Sequence, residues 1–178
     1  MDEVNSCPKT DHIRLATEED IPGICRMIRE AGESSPCREW FIPDSEEEIR
    51  ETIQGKGYVL LLEEEGETAG LLVMIRPGED DVYTRYVDGA DGSNTIHTDT
   101  CVVAPAFRGR GIQKRLFLEA EARERKAGTR FLMCTIHPDN AASLKSALHT
   151  GYEIAHTSDR VYENGYLRHV MVRRLEAE

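Results

Sequence analysis

Residues 101–113 read Cys-Val-Val-Ala-Pro-Ala-Phe-Arg-Gly-Arg-Gly-Ile-Gln, a buried strand that runs through a basic, glycine-containing turn into a helix. Gly109 and Gly111 let the backbone approach a ligand closely. The first amides of the following helix have no intrahelical acceptor, and with the helix dipole they make an anion site suited to a pyrophosphate. Arg108, Arg110, Lys114 and Arg115 set four positive charges within eight residues of an otherwise acidic chain. That local reversal of sign is what an anionic ligand needs. An isolated R-G-x-G is more often a solvated helix start; the strand before it and the helix after it favour the binding reading. A dinucleotide fingerprint G-x-G-x-x-G fails at Lys114, and no G-x-x-x-x-G-K-[ST] phosphate loop is present.

The strand of this motif begins at Thr95, as the β-branched, alternating residues 95–103, and its helix extends over residues 109–127. Downstream the pattern predicts a strand at 130–136, a helix at 139–150 and two closing strands at 152–157 and 167–173. Upstream, residues 12–16 alternate as a short strand. Thr17 and the acidic residues after it open a helix to about Ala31, with Ile21, Ile24, Cys25 and Ile28 at core-facing spacing and Gly32 as its stop. Trp40 and Phe41 lie in an irregular stretch before a second helix from about Asp44 to Gln54. Residues 58–63 and 68–76 form a hairpin across Glu64-Glu65-Gly66-Glu67. Residues 77–94, acidic and rich in glycine, read as an exposed loop. The order β-α-α-β-β-β-α-β-α-β-β carries no repeat and no linker, so a single mixed α/β domain over residues 11–178 is expected, behind a disordered leader at 1–10.

The chain's 178 residues suffice for one core without metals or disulfides. A net charge of -11 argues against nucleic acid and anionic membrane as partners and favours cationic ones, although many acidic proteins carry such charge for solubility alone. Five dispersed cysteines without a C-x-x-C suggest neither a disulfide framework nor a zinc site and fit a reducing cytoplasm. None of the six histidines has metal-ligand spacing. No apolar run is long enough to span a bilayer as a helix, and the first ten residues lack the pattern of a secretory signal.

Val103-Ala104-Pro105 and Arg108-Gly109-Arg110-Gly111-Ile112-Gln113 resemble the acyl-CoA motif of the GNAT superfamily of N-acetyltransferases, Q/R-x-x-G-x-G/A after a V-x-P strand end. Gln113 departs from the small residue usual at the last position. A second block, His137-Pro138-Asp139-Asn140-Ala141-Ala142-Ser143-Leu144 followed by Gly151-Tyr152, resembles the family's asparagine-bearing helix; Asn140 and Gly151 are also read as an ordinary helix cap and stop. The resemblance covers about residues 13–175, and the spelling is similar to a bacterial branch that supplies no substrate. It implies a central, mostly antiparallel twisted sheet of about seven strands with helices on both faces and strands 4 and 5 splayed at the acyl-CoA site. It further implies acetyl-CoA as cosubstrate, held by Cys101, Val103, residues 108–113, Asn140 and Ser143, and an amine acceptor. A homodimer is left open.

Acyl transfer to an amine needs a group to take the amine's proton. Strict alternation puts His97, Asp99, Cys101 and Val103 on one strand face, which makes His97 the candidate base and Asp99 its partner; a plain orienting or edge-capping role for the pair is equally weighted. The family's tyrosine acid would fall at Ala147, so that acid is missing. Trp40, Phe41 and Arg168 are candidates to border the acceptor, with burial in the core the default for the aromatic pair. The competing reading is an acyl-CoA-binding module without turnover.

Overall fold

The computed structural model describes residues 12–79 and 81–176, so the leader expected at 1–10 lies outside the described residues. Seven strands, β1 (His12–Leu15), β2 (Gly57–Glu64), β3 (Glu67–Ile75), β4 (Thr95–Val103), β5 (Phe131–Ile136), β6 (Glu153–Ser158) and β7 (Arg168–Arg174), form one sheet in the order β1-β2-β3-β4-β5-β7-β6. Every neighbouring pair is antiparallel except β4–β5. The hairpin between β2 and β3 turns through Glu65 and Gly66, both at positive φ.

Four helices cover the sheet: α1 (Ile21–Glu33), α2 (Glu46–Glu51), α3 (Ile112–Ala127) and α4 (Ala141–His149). Their starts follow the sequence signals. Ser45 and Glu48 form a reciprocal capping box at α2, and the Asn140 side chain accepts from the Ser143 amide at α4. Gly111 and Gly128, both left-handed, bracket α3.

The alternating side chains of the strands supply two faces. On one, Leu60, Leu62, Leu72, Met74, Ile96 and Leu132 pack under Ile112, Leu116 and Phe117 of α3 and Ala147 of α4. On the other, Leu61, Leu71, Val73 and Val102 meet Ile21, Ile24 and Ile28 of α1 and Ile49 of α2. The second face continues over Met133, Val170 and Val172, which are covered by Tyr83, Val87 and Val161. Residues 77–94 are therefore not the exposed loop that their composition suggests. Tyr83 and Val87 are buried in it, because the β5–β7 end of this face has no helix over it and these apolar side chains close it.

Helix α3 sits close to the sheet over Gly70. A Cβ there would lie 2.6 Å from Ile112 Cγ2 and 3.0 Å from the Val102 carbonyl oxygen. Gly70→Ala is accordingly expected to destabilise the fold by about 1–3 kcal/mol through overpacking. Urea unfolding measures it, and an unchanged midpoint would mean that α3 shifts freely on the sheet.

Candidate active site

Strands β4 and β5 pair only from Thr95 to His97 against Phe131 to Met133. Beyond that point they diverge, and a cavity of about 320 Å³ opens between them. From the α3–α4 face it is lined by Gln113, Phe117, Asn140, Ser143 and Ala147. From the opposite face Trp40, Phe41, Asp44, Glu48, Tyr83 and Tyr162 line it. The split carries the cavity through the sheet, so that two reactants entering from opposite faces can meet inside it.

A bulge in β4 decides which side chain serves which face. Cys101 pairs with Leu72 and Thr98 with Met74, so Asp99 and Thr100 together oppose the single residue Val73. Alternation therefore slips by one. Cys101 and Val103 pack with the α3 cluster, whereas Asp99 stays on the side of Val73, α2 and His97. The expectation that His97, Asp99, Cys101 and Val103 share one face is overturned by this extra residue, which no local sequence signal marks.

Asp99 lines the cavity, with its side chain open to it, and lies deep among surrounding groups of the protein. Burial raises its pKa well above the usual carboxylate range, and the charge of Asp44, a carboxyl–carboxyl hydrogen bond with Asp44 and the charge of Glu48 raise it further. His97 does not line the cavity. Its Nε2 lies 3.0 Å from Asp81 Oδ1, outside hydrogen-bonding alignment, and the Tyr83 ring lies against it with centroids 4.2 Å apart. Burial lowers the imidazole pKa to about 4 despite the Asp81 charge. The ring is neutral at physiological pH and separated from the cavity by Tyr83.

Sequence reasoning did not find Tyr83 and Tyr162, which come from loops far apart in the chain. Their hydroxyls contact one another inside the cavity wall, and Tyr162 also shares a hydrogen bond of 2.9 Å with Thr135 Oγ1 on β5. Burial raises both phenol pKa values, so both groups stay protonated. Arg168 lines the same wall; its guanidinium donates to the Glu39 carbonyl at 2.6 Å and to the Leu167 carbonyl at 2.9 Å. Trp40 and Phe41 also reach the cavity and are only partly buried.

The glycine turn leads into Gln113, which lines the α3–α4 side of the cavity. Gly109 and Gly111 have φ of 80° and 75°, and a Cβ at either would meet nothing within 4 Å, which leaves open space against the backbone. Ile112 is buried and anchors α3 beneath it. This cradle fits a pyrophosphate by its backbone more than by its cations. Arg110 pairs with Glu65 at 2.9 Å, and Arg115 pairs with Glu64 at 2.5 Å, so the β2–β3 hairpin already neutralises two of the four basic side chains. Arg108 and Val103 border a small separate hollow beside α1. Asn140 does double duty, as cap of α4 and as cavity wall.

The fold is similar to solved acetyltransferases. An N-acetyltransferase from Staphylococcus aureus Mu50 superposes with a TM-score of 0.70 at 20% identity, covering 96% of this chain and 100% of that one. A ribosomal-protein-alanine N-acetyltransferase from Brucella melitensis gives 0.71 at 24% identity over 92% and 99%. A GNAT superfamily phosphinothricin acetyltransferase from Sinorhizobium meliloti, in complex with AcCoA, gives 0.70 at 22% over 93% and 89%. No curated protein matches the sequence. The acetyltransferase (GNAT) family model, however, matches residues 25–152, which span the glycine turn, both splayed strands and α4. With the splayed strands and the open glycine turn in place, that match establishes that the chain belongs to the GNAT acetyltransferase family.

Proposed function

We propose that the protein transfers an acetyl group from acetyl-CoA to a primary amine of a small molecule or peptide, with Asp99 as the proton acceptor. The observation that carries this reading is the cavity through the split sheet, which has the glycine turn and Asn140 on one side and an ionisable carboxyl on the other. Acetyl-CoA supplies the thioester. The open amides at the start of α3 bind its pyrophosphate, and Gln113, Asn140 and Ser143 line the path inward.

Transfer is direct. Cys101 and Cys134 both line the cavity, but burial pushes each thiol up to about 12, so neither is a thiolate that could carry the acetyl group. Asp99 instead takes the proton that the attacking amine sheds, and a raised pKa makes it a stronger base than an ordinary carboxylate. His97 keeps Tyr83 in place from behind. Tyr83 and Tyr162, both protonated, line the acceptor face of the cavity, while Ala147 on the α4 side offers no acid to the leaving thiolate.

Acetyl-CoA at a hundredfold excess over its dissociation constant is expected to stabilise the fold by about 2.7 kcal/mol. For a chain of this size that is a rise in Tm of about 5–10 °C. No shift at millimolar CoA would count strongly against the assignment. Thiol release from acetyl-CoA across a panel of amines, amino acids and short peptides then tests turnover. A thermal shift without release from any amine would favour the alternative, a CoA-binding module without catalysis.

A further inference from the structure

Arg168, at the start of β7, carries a buried charge with no counter-charge beside it. The residue is only 4% exposed and lines the cavity, yet its guanidinium makes no ion pair among the described residues. The Glu39 and Leu167 carbonyls accept one N–H each, at 2.6 and 2.9 Å, and the other N–H groups have no acceptor among those residues. The Glu39 carboxylate is exposed and lies 3.6 Å from His137 Nε2, beyond pairing distance of the arginine. The Tyr162 and Tyr166 rings lie 5.9 and 5.6 Å from the guanidinium carbon and soften its desolvation without neutralising it. A buried cation without a carboxylate is costly in a protein interior. In the wall of a substrate cavity, the anion can arrive with the ligand.

That anion is not the cofactor's. In the acetyl-transfer reading the phosphates sit at the glycine turn, which leads into Gln113 on the α3–α4 side, whereas Arg168 lines the face of Tyr83 and Tyr162. Asp99 borders the same two tyrosines. Its charge acts on both phenols, as that of Arg168 does, although the two are not paired with each other. Asp44 is hydrogen-bonded to Asp99 and forms one pole with it, and Glu48 is held in the capping box by Ser45. A ligand laid along the tyrosines thus meets a carboxyl pole at one end and a guanidinium at the other. The cavity of about 320 Å³ also takes the thioester, so the molecule that joins the two poles is short.

From this arrangement we infer that the acceptor is a free α-amino acid, with its amine presented to Asp99 and its carboxylate held by Arg168. The inference rests on the acetyl-transfer reading and narrows it. The uncharged amine attacks the thioester carbonyl; the C–N bond forms, the C–S bond breaks, CoA leaves as the thiolate and Asp99 takes the proton that the nitrogen sheds. Trp40 and Phe41 offer apolar surface to the amino acid's side chain. A peptide, whose terminal carboxylate lies far from its first amine, would leave Arg168 unpaired.

The test measures thiol release with the standard amino acids and, for the best of them, with its amide and its decarboxylated amine. The free amino acid is expected to exceed both in kcat/KM by roughly 10- to 100-fold, the scale of one charge-assisted contact away from bulk water. The amide's amine is less basic and the plain amine more basic, so a preference over both belongs to the carboxylate. Arg168→Gln should cut that preference about tenfold or more, and Arg168→Lys, a cation without the planar fork, should retain part of it. If Arg168→Gln slows all acceptors alike and leaves the preference unchanged, the arginine is structural and the inference is overturned. Equal use of the amide or the amine, or release with amines but with no amino acid, overturns it while acetyl transfer stands. If nothing releases thiol, transfer itself fails, and thermal unfolding of the CoA-bound protein with N-acetyl amino acids decides. A rise in Tm that is lost in Arg168→Gln supports the carboxylate site, and no rise in the parent overturns it.

Discussion

Asp99→Asn is expected to lower kcat by about a hundredfold or more while leaving acetyl-CoA affinity nearly intact, the usual scale for removing a general base. Asparagine keeps the size and polarity of the side chain, so packing at the β4 bulge should survive; only the ability to take a proton is lost. The pH dependence adds an independent reading. Because Asp99 sits above the usual carboxylate range, the rising limb of kcat/KM lies at higher pH than an exposed aspartate would give. Asp44→Asn removes a negative charge beside it, makes the protonated form less favourable, and should move that limb to lower pH. The acceptor's own ammonium titrates in the same assay, but equally in parent and variant, so the displacement isolates Asp99. His97→Asn should leave the limb where it is, since the imidazole is neutral above a pKa of about 4 and does not reach the cavity. Full activity in Asp99→Asn, or a limb that moves with His97 instead, would return the base to the histidine.

The second large effect concerns the cofactor. Gly111→Val is expected to weaken CoA binding by about a hundredfold, because a β-branched residue at φ 75° is strained and its side chain fills the open space against the backbone. Gly111→Ala should fall between the valine variant and the parent. Arg115→Ala should scarcely change CoA affinity. Its cost should appear in thermal stability, because the Glu64 carboxylate that it pairs with is buried and loses a charged partner. Calorimetry for affinity and thermal unfolding for stability separate the two. The reverse order of affinities would show that side-chain charge, rather than backbone approach, holds the cofactor.

Much of this molecule is written in short-range signals. The valines of β4, the glycines at 109 and 111 and the apolar spacing of α3 lie within thirty residues of one another, and each acts on its own stretch of backbone. The sequence alone therefore sufficed for the element order, for the succession of strand, glycine turn and helix, and for Asn140 as the cap of α4. Tertiary structure decided whatever depends on partners distant in the chain. The bulge at Asp99 and Thr100 exists only in the register of β4 against β3, and it separates Asp99 from Cys101 and Val103 although alternation along the strand unites them. Residues 77–94 look polar by composition, yet Tyr83 and Val87 turn inward because one end of the sheet has no helix to cover it. The basic turn looks free until the folded hairpin brings Glu64 and Glu65 against Arg110 and Arg115. Asp44 and Asp99 are fifty-five residues apart, and only the packing of α2 over the split sheet makes them one acidic wall. Local patterns fix the conformation of a segment. The protonation and pairing of its side chains are set by groups that folding brings from elsewhere in the chain.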